Sequence, residues 1–291
     1  MYKNIAIVTR KTTAQRLGNK LELLKLEKLQ PNYVKKLGDS ERAHKVAIEA
    51  IKEILALHGL NLKVYPEGTV DADLEKADMV ISIGGDGTFM SASHFLKKTP
   101  ILGINSSPGS SIGRYCYLKF EPNSSVFLES LEAILNGKYP PRALDRLELV
   151  VENELLPLKI INDVLISESN PATLSRYNIK FGSFSEFQRS SGIWVTTASG
   201  SSAAYQSSGG KPFSSPNEAG NREFAFSVRE PCAADRLKVL SGKLGSGEKL
   251  SIISAMSKGS LFMDGDYQRR DLPIGSELEI SLSKEPLLAF L

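Results

Sequence analysis

Met79-Val80-Ile81-Ser82-Ile83 runs without a break into Gly84-Gly85-Asp86-Gly87-Thr88. A nearly continuous run of β-branched and apolar residues is the pattern of a strand covered on both faces, as in a parallel sheet. Glycines directly after it signal a tight turn, and Phe89–Leu96 then reads as a helix. In an open α/β sheet such a strand-to-helix turn faces the crevice at the carboxyl ends of the strands, where ligands bind. The glycines let backbone N–H groups approach a phosphate with no Cβ in the way, and the start of the helix adds partial positive charge. An aspartate repels a phosphate, so Asp86 needs its own reason. It can face a hydroxyl whose proton must leave, or a bridging metal ion. The plain alternative is a Gly-Asp-Gly turn with no chemistry.

Outward from this stretch the first half alternates strands and helices. Ile5–Val8, Leu62–Tyr65 and Ile101–Ile104 read as short strands. Glu41–Leu57 carries Ala43, Val46, Ala47, Ala50, Ile51, Ile54 and Leu55 at helical spacing, and Ser125–Leu135 reads as a helix ending at Asn136-Gly137. This order predicts an α/β N-terminal domain with a parallel, Rossmann-like sheet over residues 1–138. Tyr139-Pro140-Pro141 interrupts it, and the periodicity then changes to two. Leu147–Val151, Leu158–Ser167, Leu174–Phe181, Ile193–Thr197, Phe224–Val228, Leu250–Ala255, Ser260–Met263 and Glu277–Leu282 all look like strands separated by turn residues. An all-β, sandwich-like domain is expected over 139–272, with 273–291 returning to the first domain.

Composition removes several classes. The chain has 291 residues, which at roughly 150 per domain suggests about two domains. Its formal charge is 36 − 33 = +3, and apolar and charged residues make up 41% and 24%, so disorder is excluded and no nucleic-acid partner is demanded. No stretch nears the roughly 20 apolar residues of a membrane span. Cys116 and Cys232 are the only cysteines, which fits reduced, buried thiols in a cytoplasmic protein. His44, His58 and His94 share no metal-ligand spacing, so no protein-held metal site is expected. The apolar run at Ile5–Val8 is too short for a signal-peptide core, and the final residues carry no peroxisomal address. Neither a P-loop, nor a G-x-G-x-x-G after the first strand, nor a G-x-S-x-G elbow occurs.

Two constellations lie in the β-rich half. Asn162-Asp163 interrupts the apolar run Ile160-Ile161…Val164-Leu165-Ile166, and a polar pair there is costly to bury unless satisfied. It is either a strand-edge feature or an amide and carboxylate offered to ribose hydroxyls or a base edge. Thr196-Thr197-Ala198-Ser199-Gly200-Ser201-Ser202-Ala203-Ala204-Tyr205, closing with Gly209-Gly210, is either a serine-rich turn or a loop of small donors and acceptors with Tyr205 against an adenine ring. The wider Ser183–Ser215 stretch holds Trp194, the sole tryptophan, and is read as a structured loop system rather than a tether.

In this order, the GGDGT turn, Gly103-Ile104-Asn105, the Asn-acidic pair, the serine-rich loop and Phe262-Met263-Asp264-Gly265-Asp266 resemble the ATP–NAD kinase family over nearly the whole chain. Arg189-Ser190-Ser191-Gly192, Thr197–Ala204 and Val228-Arg229-Glu230-Pro231 resemble its plant-type NADH kinases. The resemblance implies transfer of the ATP γ-phosphoryl group to the adenosine 2′-hydroxyl of NADH or NAD, with Mg2+ or another divalent metal accompanying ATP, in a homo-oligomer (dimer or tetramer). It implies Asp86 as the catalytic carboxylate, with Gly84, Gly85, Thr88 and Asn105 toward the phosphates of ATP. Gly87, Asn162, Asp163, Thr173, Arg189, Ser191, Ser202, Ala203, Ala204, Tyr205, Ser207 and Asp266 would line the dinucleotide. Most NAD kinases have an aspartate where this chain has Ser191, so a negative charge is expected to be missing beside the dinucleotide. That loss matters more for the cationic oxidised nicotinamide than for the reduced form. GGDGT also occurs in lipid kinases, so a lipid or small-alcohol kinase is the nearest rival, and a catalytically silent nucleotide sensor is the other.

Overall fold

The computed structural model describes residues 2–12, 15–16, 20–214, 222–266 and 268–291. Residue 215, the last of the serine-rich stretch, lies outside them. The chain divides into two compact units, Met1–Arg142 with Leu288–Leu291, and Ala143–Leu287.

In the first unit, strand β1 (Asn4–Thr9) leads through helices α1 (Lys20–Leu29) and α2 (Pro31–Leu57) to β2 (Asn61–Pro66). Then come β3 (Met79–Gly84), α3 (Asp86–Ser93), β4 (Ile101–Asn105), β5 (Leu118–Lys119) and α4 (Ser125–Leu135). Every residue of β3 is buried, as its unbroken apolar sequence requires. The expected helix at 41–57 is longer, because Pro31 opens α2 at a first-turn position that tolerates proline. Its added first turns bury no side chain, whereas His44, Ala47, Ile51 and Leu55 further along are buried. The helix expected over 89–96 is shifted to Asp86–Ser93, with Gly85 as its cap. Hence Asp86 lies in its first turn.

The strands run β2-β1-β3-β4 with parallel pairing throughout. From β1 the chain moves outward to β2, then crosses back to β3 on the other side of β1. That reversal makes the carboxyl ends of β1 and β3 the topological switch point. Ile5, Ile7, Met79, Ile81, Ile83, Leu102 and Ile104 from the sheet pack with Ala47, Ile51 and Leu55 of α2 and Phe127, Leu131 and Ile134 of α4.

The chain enters the second unit through β6 (Arg142–Leu144). There follow β7 (Leu147–Val151), β8 (Glu154–Leu155), β9 (Asp163–Glu168), β10 (Ser175–Phe181), β11 (Phe184–Ser190) and β12 (Ile193–Thr197). After the short helix α5 (Ala204–Ser207) come β13 (Glu223–Val228), β14 (Ser241–Gly245), β15 (Leu250–Ser254), β16 (Gly259–Met263), β17 (Gln268–Asp271) and β18 (Glu277–Leu282). Two antiparallel sheets, β11-β10-β15-β18-β7-β8 and β14-β13-β12-β9-β16-β17, enclose one apolar core. Leu149, Ile179, Ile252 and Ile280 come from the first sheet, and Val164, Ile166, Val195, Phe226 and Leu261 from the second. The last strand, β19 (Leu287–Phe290), pairs in parallel with β4.

Candidate functional site

At the switch point, the last strand residue Gly84 is followed by Gly85 and by Asp86 in the first turn of α3. Asp86 is half-buried and Gly87 exposed. The backbone N–H of Tyr115 donates to Asp86 Oδ1 at 2.7 Å. The other oxygen, Oδ2, has no hydrogen-bond partner among the described residues. What brings Tyr115 there is Gly103 on β4. A Cβ at Gly103 would lie 2.5 Å from the Tyr115 carbonyl oxygen and 3.0 Å from Phe89, so only glycine lets that segment close on the sheet. The Tyr115 ring stacks on Phe89 of α3 at 5.4 Å, tying the same helix to the same segment. Behind them, burial and then the Asp86 carboxylate push the Cys116 thiol up to about 12, which makes it an inert core residue. Cys232, expected to be buried too, is only half-buried, because it lies outside the strands.

Thr88 and Asn105 are buried. Asn105 spends its side-chain amide on the Ser106–Ser111 loop: Nδ2 donates to the Ser111 carbonyl at 3.0 Å, and Oδ1 accepts from the Ser107 N–H at 3.0 Å. Its observed contacts thus shape the loop that leaves β4. That loop borders a cavity of about 980 Å3 in the same unit, lined among others by Arg10, Lys36, Ser40, Arg42, Ser107 and Ser110. Arg10, immediately after β1, donates from Nη2 to the Ser40 hydroxyl at 2.7 Å and carbonyl at 2.9 Å. Burial lowers the His44 imidazole to about 4, so it is neutral where its Nδ1 meets the Ser106 hydroxyl at 2.8 Å. Asp39 and Glu121 line the cavity too, and Arg42 pairs with Asp39, so Arg10, Lys36 and the serine hydroxyls are the groups left to meet an anionic ligand.

In the second unit, the strand expected from 158 begins only at Asp163. The cause is Asp264, about a hundred residues downstream. Its buried carboxylate accepts the backbone N–H groups of Ile161, Asn162 and Asp163 at 3.0, 2.7 and 3.0 Å. These amides are therefore satisfied by a side chain instead of a ladder. The Asn162 amide donates to Asp163 Oδ2 at 2.8 Å. Burial pushes the Asp163 carboxyl up to about 7, and the Asp264 carboxylate adds to this. The serine-rich loop locks onto the same place: the Thr197 N–H donates to the Asn162 carbonyl at 3.1 Å, and the Thr197 hydroxyl to the Ile161 carbonyl at 2.5 Å. A Cβ at Gly200 would lie 2.2 Å from the Asn162 carbonyl oxygen, so this close approach requires glycine.

Three adjoining depressions lie on the outer side of the second sheet, where Trp194, Leu165 and Phe262 stand at paired positions of β12, β9 and β16. The largest, about 510 Å3, is lined by Trp194, Ala204, Ser207, Ser208, Arg229 and Glu230. A smaller one contains Thr173, Ser191, Arg229 and Glu230, and another contains Trp194, Phe262 and Asp266. Of the residues singled out in the sequence, Ala204, Ser207, Thr173, Ser191 and Asp266 thus come together. Arg189 is exposed on β11 and lines none of the three. Ser202 and Ala203 are half-buried in the loop, and the Ser202 hydroxyl has no partner. The Tyr205 ring is buried over Gly210, so it is engaged in packing, and the half-buried aromatic of the largest depression is Trp194. Sequence reading passed over Arg229, Glu230, Phe262 and Asp264 as site residues, although each lies in a segment that carried the family likeness. The charge expected to be missing at Ser191 is present from the bend just after β13: the Ser191 hydroxyl donates to Glu230 Oε2 at 2.5 Å.

A parallel α/β unit joined to a β-sandwich unit is also the fold of solved NAD and NADH kinases. An NAD kinase from Archaeoglobus fulgidus in complex with ATP superposes with a TM-score of 0.71 over 99% of this chain and 93% of that one, at 19% identity. Yeast NADH kinase complexed with NADH gives 0.68 over 99% and 83%, at 17% identity. The sequence profile of the ATP-NAD kinase N-terminal domain matches residues 3–139. A probable NADH kinase of Oryza sativa is 31% identical over 285 residues, covering 89% of this chain and 84% of the rice protein. The NADH kinase of Arabidopsis thaliana is 31% identical, covering 90% and 87%. The chain belongs to the ATP-NAD kinase family. Among the described residues no helix is long and apolar enough to cross a membrane.

Proposed function

We propose that this protein transfers the γ-phosphoryl group of ATP to the adenosine 2′-hydroxyl of NADH, NAD or both, giving NADP(H). The observation that carries the reading is the Asp86 carboxylate, fixed by Tyr115 through one oxygen and unpartnered at the other, in a glycine turn at the switch point. Phosphoryl transfer leaves a protein mainly positioning and electrostatic tasks. Asp86 Oδ2 takes the proton of the attacking hydroxyl. The N–H groups at the start of α3 and the cavity beside Arg10 hold the phosphates. Asn162 and Asp163 hold the ribose and adenine side of the acceptor, and the Thr173, Ser191 and Ser207 depressions hold the rest of the dinucleotide. A divalent metal such as Mg2+ enters with ATP, and when bound it offsets phosphate charge. Among the described residues no group of three His, Cys, Asp or Glu side chains could hold such an ion, so it would keep waters and ride chiefly on the phosphates, leaving Asp86 Oδ2 to the attacking hydroxyl. The two free cysteines fit a cytoplasmic enzyme, and the family likeness favours a homo-oligomer.

The test is Asp86→Asn, assayed with ATP and NADH, NAD or a diacylglycerol side by side. Loss of a positioned base lowers the rate by about 10²–10⁴-fold. A variant within a few-fold of the parent removes Asp86 from this role. Turnover of the diacylglycerol alone replaces the reading by a lipid kinase, and tight NADH binding without turnover replaces it by a sensor.

A further inference from the structure

Glu230 is the unusual carboxylate of the second unit. It is exposed, yet its side chain is pinned by the Ser191 hydroxyl at 2.5 Å. Its backbone is left-handed, with φ +43, a conformation that costs a non-glycine residue energy and persists only where the surroundings impose it. The imposing contacts are visible. The Ser191 N–H donates to the Arg229 carbonyl at 3.0 Å, the Arg229 N–H to the Gly192 carbonyl at 2.8 Å, and the Cys232 N–H to the Arg189 carbonyl at 2.8 Å. They bracket Glu230 on both sides and set its carboxylate on the rim shared by two depressions. Neither Glu230 nor its neighbour Arg229 makes an ion pair among the described residues, although the Arg229 side chain lines the same two depressions, so no cation lies within bonding distance of the carboxylate.

The larger depression pairs this carboxylate with the half-buried indole of Trp194 and the small side chain of Ala204. An aromatic face next to an unpaired carboxylate favours a flat ring bearing positive charge. Of the rings in NAD and NADH only the oxidised nicotinamide is cationic. Adenine and the reduced nicotinamide are neutral, so a charge here separates the two coenzyme forms.

We propose that Glu230 is a specificity-determining residue: its carboxylate, held by Ser191, faces the nicotinamide ring lying against Trp194 and favours the oxidised coenzyme. This rests on the proposed NAD(H) kinase reading. Ser191 acts through Glu230 as a positioning residue, which turns the apparent loss of an acidic group in this chain into its relocation.

Trp194, the sole tryptophan, reports binding without turnover. Its fluorescence is titrated with NAD and with NADH, in the parent, in Glu230→Gln and in Ser191→Ala, and kcat/KM is measured with each coenzyme under saturating Mg-ATP. The expected result for Glu230→Gln is a fall of about fivefold in NAD affinity relative to NADH, the effect of a single partly exposed charge pair of about 1 kcal/mol, with the same change in the ratio of kcat/KM. Ser191→Ala moves the ratio in the same direction by less. An unchanged ratio, or an equal loss for both coenzymes, overturns the assignment of Glu230 while leaving the kinase reading intact. A parent protein that binds and turns over neither coenzyme overturns the kinase reading, and this inference with it.

Discussion

Asp264→Asn removes one charge and one acceptor from beneath the Asn162-Asp163 pair, and its cost should depend on pH. Asp264 Oδ1 serves two amides, those of Asn162 and Asp163, while Oδ2 serves Ile161. An asparagine keeps two of the three bonds by leaving its oxygen in the first position, which sets its NH2 group against the Ile161 N–H. That buried donor is then unsatisfied, at about 1–3 kcal/mol. Opposing this, the variant removes the Asp264 charge that helps raise Asp163. The sign follows from linkage. Asp163, lifted in the folded state to about 7, contributes stability that is complete below its unfolded value near 4 and is lost as pH rises through 7. At pH 5.5 folded Asp163 is mostly protonated, so the variant shows its full cost. At pH 8.5 it is ionised and the variant escapes the repulsion, recovering about 1 kcal/mol if Asp264 accounts for one pKa unit. Urea unfolding followed by Trp194, which lies in the same sheet, measures both values. The destabilisation should be about 1 kcal/mol smaller at pH 8.5 than at 5.5. Equal values, or a larger one at high pH, would refute the coupling of these carboxylates.

Two glycines give further expectations. Gly103→Ala places a methyl group 2.5 Å from the Tyr115 carbonyl. It should lower the melting temperature and, by moving the N–H that holds Asp86, reduce kcat at least tenfold with little change in KM for ATP. Gly200→Ala places one 2.2 Å from the Asn162 carbonyl. It should cost about 1–3 kcal/mol in urea unfolding and weaken NADH binding as read from Trp194 fluorescence, with the ATP interaction unaffected.

The legible parts of this protein are those in which neighbouring residues decide the structure. Met79–Gly84 reads as a buried strand because apolar and β-branched side chains suffice to make it one, and the glycines after it announce the turn. Leu147–Val151 and Ile193–Thr197 read as strands for the same local reason. The polar strands Phe184–Ser190 and Gln268–Asp271 did not stand out. Each is an edge strand of its sheet, with charged residues facing solvent, so it carries little of the apolar alternation. The opening of α2 was hidden likewise, since its first three turns contact no core. Leu158–Ser167 read as one strand although only its second part is. The deciding carboxylate, Asp264, reaches it from a hundred residues away, and no local pattern reveals such a partner.

The same limit separates the candidate site residues from what aims them. Asp86, Asn162 and Ser191 stand in short motifs and were legible as candidates. The Tyr115 N–H, the Asp264 carboxylate and the Glu230 carboxylate that hold them come from distant segments. Two of these supports, Asp264 at φ +51 and Glu230 at φ +43, occupy left-handed backbone. Glycine would relieve that strain but would bring no carboxylate. An acidic side chain kept in an unfavourable backbone conformation means that its hydrogen bonds outweigh the local cost. For Asp264 three amide donors supply the compensation. For Glu230 the backbone hydrogen bonds of Ser191, Arg229 and Cys232 hold the bend on both sides, and the Ser191 hydroxyl then aims a carboxylate that stays exposed at the rim of the Trp194 depression.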